Sequence, residues 1–272
     1  MKRSISSIRK MYQTGGSLPI LVECDDLNTY LTKYMINAVA HNLFNEYVGS
    51  SFLKLWNLHT PDFDFIQVNR KHINTELFPT LNVNNFDTIC FGTKFSRDYS
   101  DIHNLTTNFT KQQITVFQKN KLELLLIALF DIWICNEDRT ANNPNLMYDF
   151  KQNNRFVPID HQFIFNSSNL QYDLEPINWY ESILYHELCL SFFKQSDLIE
   201  SIIVNIQQMF FLFLEKCRLN LKQIISQTPE KWNIDQNKML LKIEKQLFSD
   251  VWIKQTWQTF CDFLEELSKQ IK

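Results

Sequence analysis

Residues 130–166 read FDIWICNEDRTANNPNLMYDFKQNNRFVPIDHQFIFN. They place Asp138, then Asn143 five positions on, then Asp160 on the far side of a predicted hairpin. Leu146, Met147 and Tyr148 form its first arm and Phe156, Val157 and Ile159 its second, with the polar run from Asp149 to Arg155 turning between them. This is the layout of a phosphoryl-transfer centre. One carboxylate faces an acceptor hydroxyl, while an amide and a second carboxylate share magnesium. The reading requires the rest of the chain to supply a nucleotide pocket.

Immediately upstream, Val116 to Cys135 is a nearly continuous apolar run. It predicts a helix buried on all sides that delivers Asn136 and Asp138 at its C-terminal end. Near the start, Gly15-Gly16-Ser17 precedes two predicted strands, Pro19 to Cys24 and Thr29 to Met35, joined by the turn signal Asp25-Asp26-Leu27-Asn28. The chain holds only 4 Gly, where average usage would give roughly 19. An adjacent pair is therefore informative, because backbone without Cβ can approach phosphates. An ordinary N-terminal hairpin with a glycine turn is the plainer alternative.

Alternation puts Leu31, Lys33 and Met35 on one strand face. A lysine on an apolar face needs a partner or ligand, unless the strand is an edge and the lysine reaches solvent. A helix from about Ala38 to Trp56 offers Glu46, just off the stripe of Leu43, Tyr47 and Phe52. A Lys33–Glu46 pair would hold the amine ready for nucleotide phosphates; a solvated helix carboxylate is the competing reading. A strand is expected from Phe63 to Val68, an insertion without period over 70–86, and a further strand from Asp87 to Phe95. The polar connector Ser96 to Gln113 then reads as a hinge, with backbone groups of Thr93, Lys94 and Phe95 placed for adenine. Downstream, helices are expected over Leu198 to Ser226, Asp235 to Leu247 and Asp250 to Ile271. The run Met209 to Leu214 reads as core, and Trp232 as the pin of an inter-helix loop.

The chain of 272 residues is 44% hydrophobic and 14% aromatic, ample for a packed core, and its net charge of −3 gives no argument for nucleic-acid or membrane binding. The opening MKRSISSIRKM lacks the apolar segment of a signal peptide. The run Leu124 to Phe130 is too short to span a bilayer. Six cysteines stand singly, with no C-x-x-C pair, and read as reduced thiols. A cytoplasmic protein is expected. The order of parts predicts an α+β, bilobal, protein-kinase-like fold. A small β-rich N-lobe would span 1–95 and a larger helical C-lobe 96–272.

The segments NEDRTANNPNL and VPIDHQFIF resemble the catalytic core of the HipA-family kinases, in particular the shorter HipA-like branch with its N-x-DR-x-x-x-NPN loop and ID-H segment. GGSLP at 15–19, Tyr30 to Tyr34 with its lysine, NE at 45–46, FG at 91–92 and TPEKW at 228–232 are similar to the same branch. The likeness extends over nearly the whole chain. It departs from eukaryotic protein kinases, since G-x-G-x-x-G, H-R-D and D-F-G are missing. It also lacks the extra N-terminal subdomain of full-length HipA toxins and resembles the minimal core of split, HipT-like systems.

What the resemblance implies is ATP- and Mg2+-dependent phosphorylation of a Ser or Thr hydroxyl on a protein. In characterised relatives the target is an aminoacyl-tRNA synthetase and the kinase is the toxin of a toxin–antitoxin pair, so an antitoxin partner is implied too. Asp138 would orient the acceptor hydroxyl, and Asn143 and Asp160 would hold the metal. Lys33, braced by Glu46, would grip the phosphates, with Gly15, Gly16 and Ser17 covering them. Ser17, or the group Ser4, Ser6 and Ser7, is implied as a self-phosphorylation site. Asn136, Arg139 and Asn145 are expected to buttress the catalytic loop. For His161 a loop-stabilising and a catalytic role both stand. Two other functions fit the same residues: a small-molecule phosphotransferase, and a nucleotide-binding pseudokinase or scaffold.

Overall fold

The structure is a computed structural model that describes residues 1–12, 18–36, 40–102, 120–151 and 154–271. Its first half is a curled five-stranded sheet. The strands are β1 (Lys2–Arg3), β2 (Ile20–Glu23), β3 (Thr29–Lys33), β4 (Phe63–Gln67) and β5 (Cys90–Lys94), in the order β1-β4-β5-β3-β2. All neighbours are antiparallel except β1 on β4. The β2–β3 turn forms because Asp26 Oδ1 accepts the Asn28 N–H at 3.1 Å and Leu27 adopts a left-handed φ of 62°. Its consequence is central: β3 lies inside the sheet, so Lys33 is not an edge lysine reaching water.

The outer sheet face carries a core of its own. Ile20, Val22, Tyr30, Tyr34, Ile66 and Cys90 pack with Ile73, Leu81 and Phe86 from the segment 70–86. That insertion folds as two 3-10 turns, Arg70–His72 and Val83–Phe86, capped by the side chains of Asn69 and Asn82. The N-terminal residues add β1 as an edge strand and bury Ile8.

Helix α1 (His41–Leu55) sits against the inner sheet face, yet its packing is mostly with the helical half. Phe52 meets the Trp133 ring at 5.2 Å, and Trp56 meets Trp133 at 5.6 Å, Phe130 at 5.2 Å and Phe213 at 5.3 Å. Burial of such side chains contributes about 1.5–3 kcal/mol each, so α1 is fastened to the larger core rather than carried loosely by the sheet. Helix α2 (Lys121–Ile134) is buried from Glu123 to Ile134, as its composition requires. It stops at Cys135, whose φ of 51° lets the Asn136 N–H close on Asp131 O at 2.9 Å and turns the chain outward.

Two strands, β7 (Leu146–Asp149) and β8 (Arg155–Pro158), form the hairpin, paired from Leu146 opposite Pro158 to Asp149 opposite Arg155. A third strand, β6 (Tyr99–Asp101), comes from the connector between the halves and pairs with β7, which the polar composition of that connector concealed. The remaining helices are α3 (Glu187–Phe192), α4 (Glu200–Ser226), α5 (Gln236–Leu247) and α6 (Asp250–Gln270). Within α4 the run 209–214 is split. Phe210, Phe213 and Leu214 are buried, whereas Phe211 and Leu212 are exposed, because 3.6 residues per turn put the latter pair on the outer face. Trp232 does more than pin a loop. Its Nε1–H donates to Ile89 O at 2.6 Å and its ring meets Phe65 edge-on at 5.4 Å, which clamps the helical half onto the sheet. Among the described residues no helix is long and apolar enough to cross a membrane.

Candidate active site

Lys33 projects from β3 toward α1 and the end of β8. Its Nζ donates to Glu46 Oε1 and pairs with Asp160 Oδ1 at 2.9 Å. The Lys33 and Asp160 side chains keep 15% and 24% of their surface open, so both reach the cleft, while Glu46 is 3% exposed. Two carboxylates thus share one cation. Burial, reinforced by the charge of Asp160, pushes Glu46 up to about 7, despite Lys33. For Asp160 burial acts in the same sense, but the Lys33 ammonium outweighs it and holds the carboxyl below its ordinary value. Burial lowers the Lys33 pKa, yet its two carboxylates raise it further, so it remains charged.

Asp160 follows β8 with a φ of 60°, a left-handed conformation that Asp tolerates better than most side chains. The segment 160–162 is tied to α1 from two sides. Asn45 Nδ2 donates to Gln162 O at 2.9 Å, and the His161 N–H donates to the Glu46 carboxylate. Gly49, one turn beyond Glu46, permits this approach, since a Cβ there would stand 2.6 Å from His161 Cβ.

On the other side of the cleft, Asp138 is held by amides. Asn143 Nδ2 donates to its Oδ1 at 2.9 Å and Asn145 Nδ2 to its Oδ2 at 2.8 Å. Burial pushes its carboxyl up and Asp160 adds to this, while the two amides pull it back. Beneath it lies Arg139, fully buried. Its Nε donates to Asp131 Oδ2 at 2.8 Å, and its Nη1 donates to the carbonyls of Asn145 and, at 3.1 Å, Ile159. Asn136 joins the network by donating to Asp131 Oδ1 at 2.8 Å and accepting the Asp138 N–H at 3.3 Å. The sequence reading gave Asp131, Asn45 and Gly49 no role of their own. The available signal was Asp131 itself, a carboxylate inside a buried apolar helix, which must have a partner.

The structure therefore brings Lys33, Glu46 and Asp160 together, and sets Asp138, which Asn143 holds, within electrostatic reach of Asp160. Gly15, Gly16 and Ser17 lie outside the described residues. At Thr93, Lys94 and Phe95 the backbone is already engaged in part. The Lys94 N–H donates to Asp62 O at 2.6 Å and that of Phe95 to Thr29 O at 2.8 Å. For magnesium the donor chemistry fits: Asp160 and Asn143 offer hard oxygens, and the Asn143 amide points its nitrogen at Asp138, leaving its oxygen for another partner. Among the described residues no three His, Cys, Asp or Glu side chains gather as a metal cage, and a magnesium ion that travels with nucleotide phosphates needs none.

A curled sheet over a helical lobe, with a lysine–glutamate pair and an Asp/Asn/Asp set in the cleft between, defines a kinase-type protein. Residues 5–260 match the HipA-like kinase family, and the chain belongs to it. Among solved structures, the proinflammatory kinase CtkA of Helicobacter pylori aligns with a TM-score of 0.54 at 12% identity, over 98% of this chain and 97% of that one. HipA of Shewanella oneidensis MR-1, solved with HipB and its operator DNA, aligns with a TM-score of 0.46 at 10% identity, over 92% of this chain and 65% of that one. No curated protein matches the chain.

Proposed function

We propose that this HipA-like kinase transfers the γ-phosphoryl group of ATP to a serine or threonine hydroxyl of a protein, in the cytoplasm. The observation that carries the reading is Lys33 bridging Glu46 and Asp160 opposite an amide-held Asp138. Lys33 exchanges part of its contact with Asp160 for the α- and β-phosphates, while Glu46 keeps the amine in place. Asn143 and Asp160 would hold magnesium, which when bound neutralises charge on the phosphates. Asp138 accepts a hydrogen bond from the acceptor hydroxyl. Its raised pKa suits it to take the proton as the hydroxyl oxygen bonds to phosphorus and ADP departs. Because the Lys94 and Phe95 amides are engaged, adenine contacts from Thr93, Lys94 and Phe95 fall to their carbonyls and side chains. Gly15, Gly16 and Ser17 would close over the phosphates, with Ser17 as a site of self-phosphorylation. We retain residue 95 as the lobe boundary.

Family membership extends the proposal to a toxin–antitoxin or stress-response role, with an aminoacyl-tRNA synthetase as target class and an antitoxin as partner. Direct nucleic-acid or membrane binding is not part of it. The test is transfer of label from γ-labelled ATP with Mg2+ to proteins of a cell lysate, comparing wild type with Asp138→Ala and Asp160→Ala. Label on proteins that both variants lose is the expected result. Label confined to small molecules would favour the small-molecule phosphotransferase, and nucleotide binding without transfer the pseudokinase. Growth arrest on expression, relieved by Asp138→Ala, is the expected sign of toxin action.

A further inference from the structure

His161 occupies the seam between the two halves of the site. It is 1% exposed, follows Asp160 directly, and packs its Cβ and ring against Gly49 of α1 on one side. On the other side Arg139 Nη2 lies 3.4 Å from its Nδ1. A guanidinium can only donate, so Nδ1 accepts and the ring is the neutral tautomer with its proton on Nε2. That Nε2–H has no partner among the described residues. The Phe130 ring stands edge-on 6.4 Å away. A side chain that merely filled this space would not bury an unsatisfied donor, since burying one carries a cost that an aliphatic group avoids. The feature that distinguishes histidine here is the acceptor at Nδ1.

What Nδ1 holds is the hub of the catalytic loop. The same guanidinium that faces it binds Asp131 and the carbonyls of Asn145 and Ile159, and so fixes the loop that presents Asp138. The backbone of His161 is meanwhile fixed by Glu46, and that of Gln162 by Asn45. We propose that His161 is a positioning residue that sets the Asp138 loop in register with the Lys33–Glu46–Asp160 side through its Nδ1 contact to Arg139. The proposal rests on the kinase reading above.

Three substitutions separate the acceptor from the bulk. Asn places its amide oxygen close to where Nδ1 stands, Gln carries its amide out toward Nε2, and Leu has neither. The expected result is that His161→Leu and His161→Gln lower kcat by about 10–100-fold with nucleotide affinity unchanged, and that His161→Asn recovers most of the rate. A second readout needs no phosphoryl transfer. Binding of a non-hydrolysable ATP analogue with Mg2+ should slow amide hydrogen exchange over 136–146 in wild type and in His161→Asn, but not in His161→Leu. A Leu variant as fast as wild type overturns the proposal. So does an Asn variant as slow as Leu, or a Leu variant that loses nucleotide affinity together with rate, which would mark a filler of space. If wild type binds nucleotide but transfers nothing, the kinase reading fails while the exchange comparison still decides the coupling. If it binds no nucleotide, both fall.

Discussion

The two sides of the cleft are built on opposite electrostatic principles. On the Lys33 side, one ammonium serves two carboxylates, and the group that gives way is Glu46, whose pKa rises to about 7. On the Asp138 side, the buried charge of Asp131 is matched by Arg139, and Asp138 is held by neutral amides. The first arrangement is unsatisfied until a further positive charge arrives, and is suited to binding a cation. The second is complete in the free protein and is suited to holding a carboxylate still. Substitutions on the two sides should accordingly separate activity from stability.

The largest effect is expected where the completed network is opened. Arg139→Met leaves Asp131 buried without its cation and removes donors from the Asn145 and Ile159 carbonyls. Breaking a buried pair from one side costs about 3–5 kcal/mol, read as the unfolding free energy in urea, with phosphoryl transfer lost alongside. A cost near that of a surface pair would show that the network is not the scaffold described.

Asp160→Asn tests the other side. It should lower phosphoryl transfer by about 10²–10³-fold, the scale for removing one preorganised electrostatic group. Stability should hardly move, because Lys33 keeps Glu46 and asparagine tolerates the left-handed φ of 60° at this position. A large drop in unfolding free energy would break the comparison, since both sides would then be structural.

The charge imbalance also predicts a pH dependence for the metal-free protein. The Glu46 carboxyl has an ordinary value of 4.5 and is raised to about 7 in the fold, so the folded state binds its proton more tightly than the unfolded chain. The stability this provides is fully present below about 4.5 and is lost as pH rises through about 7. By linkage it amounts to about 3 kcal/mol at most. Glu46→Gln should remove this part of the slope in urea titrations between pH 4 and 8. An identical slope in wild type and variant would mean that Lys33 satisfies both carboxylates after all.

How much of this was legible follows the same division. The kinase-like order of elements could be read because each part leaves a local mark: the apolar run of α2, the β7–β8 hairpin, the Lys33 strand and the Glu46 helix. The partnership of Lys33 was ambiguous, because whether β3 is an edge depends on β5, which lies some sixty residues away in the chain and pairs with it in the sheet. The Arg139–Asp131 pair, the reach of Trp232 to Ile89 and the strand β6 are likewise products of long-range packing, and no periodicity encodes them. Gly49 was hidden for another reason. Inside a helix a glycine costs up to about 1 kcal/mol relative to alanine, and nothing local says what it makes room for.

That glycine gives the smallest and most pointed test, because it lies where the two sides meet. Gly49→Ala should stabilise an isolated helix by propensity. Here, however, the added methyl would stand 2.6 Å from His161 Cβ and 2.8 Å from its Cγ, and those atoms belong to a side chain fixed between Arg139 and α1. Overpacking of this kind costs about 1–3 kcal/mol, so a small net loss of stability is expected. The more telling consequence is geometric. Relief of the clash must move α1 away from the segment 160–162, which stretches the Asn45–Gln162 bond and shifts Glu46 relative to Asp160. Nucleotide affinity and kcat should therefore fall together, unlike the rate-only effect expected of His161→Leu. If Gly49→Ala gains stability and keeps full activity, the helix and the segment 160–162 are not in the tight register that sets the two sides of the cleft against each other.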